Sequence, residues 1–194
     1  MLPVDFLSKQ IPAIIAIWLG AIFLAYPDRN LIQITIGVMF VQFWIYFVHR
    51  TGHYMPTDGI LGMLNTHWQF HHQHHKLLDR RVELAIEMFT DLGMNFTLLL
   101  IQWYTGVWFV PFSLILYNAL IYTSVHIINY SIIGSDIHRK HHRNHNTNFG
   151  PDTMDHIFSS SEDGDYEDMN PIIINAVAAL GLVYFLKKYY SWID

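Results

Sequence analysis

The sequence contains no cysteine. Disulfides, thiolate-ligated haem and cysteine-based zinc or iron–sulfur sites are therefore excluded, and any metal must be held by nitrogen and oxygen. Charge is scarce too: 14% of residues are charged against 52% hydrophobic, and mean hydropathy is +0.23. A soluble domain carries about a quarter charged residues, so a membrane protein is expected. A net charge of -5 without a basic tract argues against nucleic acid as a partner. The opening MLPVDFLSKQ lacks the basic start of a cleaved signal peptide, and no small-residue cleavage site follows. It reads as a retained anchor.

The apolar residues are bunched. Ile11 to Tyr26, Leu31 to Val48, Asn95 to Ile128 and Ile172 to Leu186 hold almost no charge, and a span needs about 20 apolar residues. Residues 1–194 are expected to form a single membrane domain, with spans over about 6–26, 31–48, 95–110 and 112–129 and a turn near Gly106 and Pro111. The stretch 172–187 adds a fifth span if it crosses, or lies at the interface if it does not. The fold class is all-α, an integral membrane helical bundle of four or five spans.

Two polar segments, 49–93 and 130–171, carry the histidines. If the first span runs outward and the second returns, His49 arrives on the starting side, and the 95–129 hairpin delivers His126 to it as well. The thirteen histidines and most lysines and arginines then share one face. The positive-inside rule makes that face a cytoplasmic histidine-rich cap. Lys187 and Lys188 disagree if the last segment crosses. The acidic run Glu162 to Asp168 reads as a solvated loop.

Three clusters repeat one spacing. HRTGH places His49 and His53 four apart, HHQHH relates His71, His74 and His75 by three and four, and HRKHH does the same for His138, His141 and His142. Residues three or four apart share a helical face, so eight imidazoles aim at one place. On that periodicity His72 points elsewhere, while His67 and His145 lie on the correct faces one turn outside their clusters. A lone histidine is more often a surface or satisfied core residue. A dozen next to a bilayer need a common acceptor, because each buried imidazole without a partner costs about 1–3 kcal/mol. A metal provides one. Eight ligands exceed one ion, so two metals are expected. A nitrogen-rich pair at the mouth of a bundle suits redox chemistry on a lipid chain, which iron can perform and zinc, fixed in its oxidation state, cannot.

Other polar residues near the spans read more plainly. Gln42 and Tyr46 share the face of His49 and are expected to be satisfied between packed helices. Asn118, Tyr122 and His126 form a stripe in which only His126 is taken as a site residue. Trp103, Trp108 and Phe109 suit an interfacial belt.

HRTGH, HWQFHHQHH and HRKHH, followed by NFGPDTMDHIF, resemble the fatty acid hydroxylase/sterol desaturase superfamily of integral-membrane di-iron enzymes over His49 to Phe158. The resemblance implies metal ligands at His49, His53, His71, His74, His75, His138, His141 and His142, with His126 as the additional histidine before the last box. His67, His145 and His156 are further candidates. Asp155 is a candidate carboxylate holding an imidazole from behind. Tyr130 stands where many members carry another histidine and is read as a second residue behind the ligands. MDHIFSS departs from the usual closing tryptophan, aspartate, basic residue and FGT, and the link from His126 to His138 is short for the hydroxylase branch.

The resemblance implies a lipid hydroxylase or desaturase using dioxygen, two iron ions, and electrons from an external ferredoxin or b-type cytochrome with its reductase, in a bacterial inner membrane or endoplasmic reticulum. Zinc as the native metal is the alternative, in a hydrolase or a metal-handling protein. Transport would favour ionisable residues in mid-span, and a catalytically dead scaffold would favour broken boxes; the sequence has neither.

Overall fold

The computed structural model describes residues 4–65, 67–72 and 79–190, which contain helices and connecting turns and no strand. The all-α expectation holds. The helices are α1 (Val4–Lys9), α2 (Ile11–Ala25), α3 (Leu31–Tyr54), α4 (Gly59–Leu64), α5 (Arg80–Thr105), α6 (Phe112–Ser124), α7 (Asp136–Arg143), α8 (Asp152–Ile157) and α9 (Ile172–Tyr189). Two π-helical segments join them, Trp68–His72 and Val125–Ile133, the second continuing α6 without a break.

Among the described residues four helices are long and apolar enough to cross a membrane: α3, α5, α6 with its π continuation, and α9. They differ from the expected set at two places. The first apolar stretch is divided at Gln10, because Pro12 brings no N–H to the helical ladder. The Ser8 carbonyl that Pro12 leaves free accepts from Asn170 Nδ2 at 3.1 Å, and the neighbouring Lys9 carbonyl accepts from Met169 N at 2.9 Å. The third helix starts at Arg80 and ends at Thr105, so much of the segment read as polar cap belongs to it. Its acidic residues Glu87 and Asp91 are four apart, share one face and are buried, leaving the remaining surface free for lipid.

Local signals fix the ends. Asn30 and Gln33 form a reciprocal capping box at the start of α3. Asp79 caps α5 by accepting from Arg81 N, and Gly106 closes it in the left-handed conformation at φ 70°. Ser135 accepts from His138 N to start α7.

The α6 span sits at the centre of the bundle, packed against α2, α3, α5 and α9. Just over half of its apolar window is buried, about twice the share of the other three. Gly20 lets α2 lie close to it, since a Cβ there would run into the ring and hydroxyl of Tyr117. Interhelical hydrogen bonds add register: Trp18 Nε1 donates to Thr35 Oγ1 at 2.9 Å and Trp44 Nε1 to Thr97 Oγ1 at 3.0 Å. The C-terminal ends of α3 and the α6 span and the N-terminal ends of α5 and α9 therefore meet at one end of the bundle.

Candidate metal centre

That end gathers the histidines. His49 and His53 sit on the last turns of α3, and His67, His71 and His72 sit on or just before the first π segment. His126 opens the second π segment, and α7 carries His138, His141 and His142. Ring nitrogens of His49, His53, His67, His72 and His141 all lie within 4.8 Å of one another; so do those of His71, His138 and His142, and a third set joins His71 and His126 to a carboxylate oxygen of Glu87.

The π winding explains a departure from the sequence reading. A π turn closes with i→i+5 hydrogen bonds, so residues four and five apart return to nearly the same face. His71 and His72 both come back beneath His67, and His72 joins the first group instead of pointing away. His67, a further candidate on sequence, lies inside that group. His145 stands at its edge, its ring 4.6 Å from that of His72 and 4.9 Å from Trp68. His74 and His75 lie outside the described residues.

The nitrogens that meet do so at ligand spacing. His53 and His67 approach to 3.2 Å, His67 and His72 to 3.1 Å, and His138 and His142 to 3.0 Å, all through Nε2. Two ligands at about 2.1 Å from one ion are separated by about 3.0–3.4 Å. Three other imidazoles are held from behind. His126 Nδ1 pairs with Asp91 Oδ2 at 2.8 Å, His141 Nδ1 donates to the Thr147 carbonyl at 2.6 Å, and His49 Nδ1 shares a hydrogen bond with the Tyr122 hydroxyl at 3.2 Å. The opposite Nε2 of each is buried without a hydrogen-bond partner among the described residues, as is that of His71. Such nitrogens are costly unless something arrives to use the lone pair.

Charge fits the same reading. Glu87 and Asp91 are 4% and 1% exposed, and their salt-bridge partners among the described residues are His71 and His126, with no lysine or arginine. Buried carboxylates without a compensating charge are strongly unfavourable, and cations bound by the adjoining imidazoles would supply it. Burial, reinforced by neighbouring imidazoles, holds His67, His71, His72 and His138 well below the ordinary histidine range. Burial also brings His141 down to about 4. These rings are neutral at physiological pH, the protonation state a metal requires.

Glu87, Asp91 and Tyr122 were not singled out as site residues from the sequence. The available signal was the i, i+4 acidic pair just outside an apolar stretch, where ionisable residues are functional candidates. Asp155, by contrast, hydrogen-bonds no imidazole among the described residues. It accepts from Phe149 N, Gly150 N and Ser160 Oγ at 2.9, 2.6 and 2.7 Å, fixing a loop whose Phe149 ring packs against His49, His53 and His141. Its carboxyl is too far committed to that loop to hold an imidazole. His156 stacks on Tyr166 at 3.9 Å and faces Asp152 at 3.7 Å, outside the three groups. Tyr130 stacks on His138 with ring centres 4.9 Å apart and donates to Glu167 Oε2 at 2.7 Å.

A cavity of about 70 Å³ reaches the centre from between the spans. His49, His126 and His138 lie on its polar side together with Asp152, Asp155 and Glu167, while Ile17, Ile121 and Ile172 line its apolar side. Beside it Gln42 donates to Asn118, the interhelical partner expected of Gln42, and Asn118 Nδ2 in turn donates to Asn95 Oδ1 at 2.8 Å. The arrangement can hold more than one metal ion beside a small cavity with an apolar side.

No curated protein and no solved structure gives a significant match to the sequence. The family model for fatty acid hydroxylase matches residues 34–160, more than half of the chain, and spans every imidazole of the three groups. With histidine clusters at the end of an apolar helical bundle and this family match, the chain belongs to the fatty acid hydroxylase family.

Proposed function

We propose that the protein is a membrane-bound non-haem di-iron oxygenase that hydroxylates or desaturates a lipid drawn from the bilayer. Its histidine-bearing end faces the cytoplasm, where an external ferredoxin or b-type cytochrome with its reductase supplies electrons. The observation that carries this reading is the set of buried imidazoles, tied outward through Nδ1 and open inward through Nε2, beside an apolar cavity. Bound there, iron supplies dioxygen activation, the step that breaking an unactivated C–H bond demands.

The chain's own residues do the rest. Asp91 keeps the His126 proton on Nδ1 and its lone pair on Nε2, and the Thr147 carbonyl does the same for His141. Tyr122 orients His49 from the cavity side. Ile17, Ile121 and Ile172 offer an apolar wall that excludes water and aligns a hydrocarbon chain against the imidazoles. That wall would keep water away from the inward face of the imidazoles that would hold the metal.

Metal analysis by mass spectrometry on detergent-purified protein from iron-supplemented cells tests the reading, together with dioxygen consumption by the chemically reduced protein. The expected result is about two iron ions per chain and substrate-dependent oxygen uptake. Two zinc ions despite abundant iron, with no oxygen uptake, would overturn it in favour of a hydrolase or metal-handling protein.

A further inference from the structure

The wall of the cavity nearest Gln10 contains Asp152 and Glu167, carried by α8 and the loop that follows it. Asp152 is 5% exposed. Its Oδ2 accepts from Gln10 Nε2 at 2.6 Å and from Glu167 N at 3.4 Å, while Oδ1 accepts from none of the described residues. Both oxygens of Glu167 are already engaged, one by the Tyr130 hydroxyl and one by Ser135 Oγ. The donors that reach these two carboxyl groups, from Gln10, Tyr130 and Ser135, are spent on them, and acceptor capacity is left over. No lysine or arginine lines the cavity among the described residues.

A molecule entering here meets acceptors and negative charge. A carboxylate or phosphate end needs donors and positive charge, and would find neither on this wall. A hydroxyl or ammonium end brings its own donors. Burial, with repulsion from Glu167, lifts the Asp152 carboxyl to about 7, and burial, with repulsion from Asp155 and Asp168, raises that of Glu167, so the wall already resists negative charge and would resist more.

We propose that this cavity selects lipids whose polar end is a hydrogen-bond donor without negative charge, an alcohol or an amine, and rejects free carboxylates. The inference deepens the proposed function and rests on its reading of the cavity as the lipid site. Asp152 and Glu167 are the specificity-determining residues. Asp155 lies on the same wall, but it is engaged by Phe149, Gly150 and Ser160 and contributes charge only.

Native mass spectrometry of the detergent-purified protein with hexadecanol, hexadecylamine, hexadecanoate and hexadecane tests the selection by binding alone. The alcohol, the amine or both are expected to bind about tenfold tighter than the carboxylate, and comparing the two identifies the preferred donor. Asp152→Asn with Glu167→Gln is expected to bring hexadecanoate within about threefold of hexadecanol, with hexadecane binding unchanged as the sign of an intact cavity. Each single replacement moves the ratio the same way by less, which keeps the test decisive if the double variant does not fold. Asp163→Asn, at an exposed position outside the cavity, leaves the ratio where it was. Equal binding of carboxylate and alcohol by the unaltered protein, or a ratio that ignores both single replacements, overturns the inference. Oxygen uptake separates the two proposals. Selective binding without uptake sinks only the oxygenase reading, and oxygenation of hexadecanoate in preference to hexadecanol sinks only this one.

Discussion

The two ends of the bundle treat polar groups in opposite ways. At the far end, Gln102 of α5 is 1% exposed, and its side chain donates to the Val110 carbonyl and accepts from Phe109 N and Val110 N, closing the turn into α6. Lys187 of α9 donates to the Leu24 carbonyl at 2.9 Å beside Asp28. Polar groups there meet protein partners and hold the structure together. At the histidine end, buried ring nitrogens converge and several find no protein partner. Buried polar groups in native proteins are normally satisfied, so a concentration of exceptions at one end marks where something other than protein belongs.

The largest expected effect strikes the histidine end. His49→Ala combined with His141→Ala removes two of the five imidazoles of the first group and should cost the chain about one metal ion, read by metal mass spectrometry with helicity followed by circular dichroism. Full metal content in this variant would break the contrast between the ends.

Acid comes next. His141 titrates near 4 in the fold and near 6.5 when unfolded, so between those values the unfolded chain binds more protons. Stability of the metal-free protein should be full above about pH 6.5 and fall as pH drops toward 4, by on the order of 3 kcal/mol for His141 alone. Urea unfolding of chelator-treated protein in detergent at several pH values checks this; a flat profile would mean that the rings are not buried neutral.

The smallest effect sharpens the comparison from the other side. Gln102→Ala strands backbone groups of Phe109 and Val110 and should lower stability by about 2 kcal/mol while leaving metal content unchanged. Thermal unfolding and metal analysis of one preparation measure both.

Much of this was legible along the chain. Spacings of three and four assembled HRTGH and HRKHH into inward-facing sets, because α3 and α7 are regular helices and periodicity maps directly to a face. The same rule misplaced His72, because the Trp68–His72 segment winds as a π-helix and its local sequence carries no mark of that. The i, i+4 pair Glu87 and Asp91 was visible, but the charges before Asn95 made Arg80 to Gly93 read as polar cap. Only the packing of α5 against α6 turns those carboxylates toward His71 and His126.

The sequence by itself determined the membrane class, the all-helical architecture and a nitrogen-rich metal chemistry, since composition and short-range periodicity act within a few turns of helix. Only the tertiary structure decided which imidazoles come together, which carboxylates stand behind them and which side chains line the cavity. Those are contacts between residues far apart in the chain, and they exist because α6 is buried at the centre and draws the ends of its neighbours together.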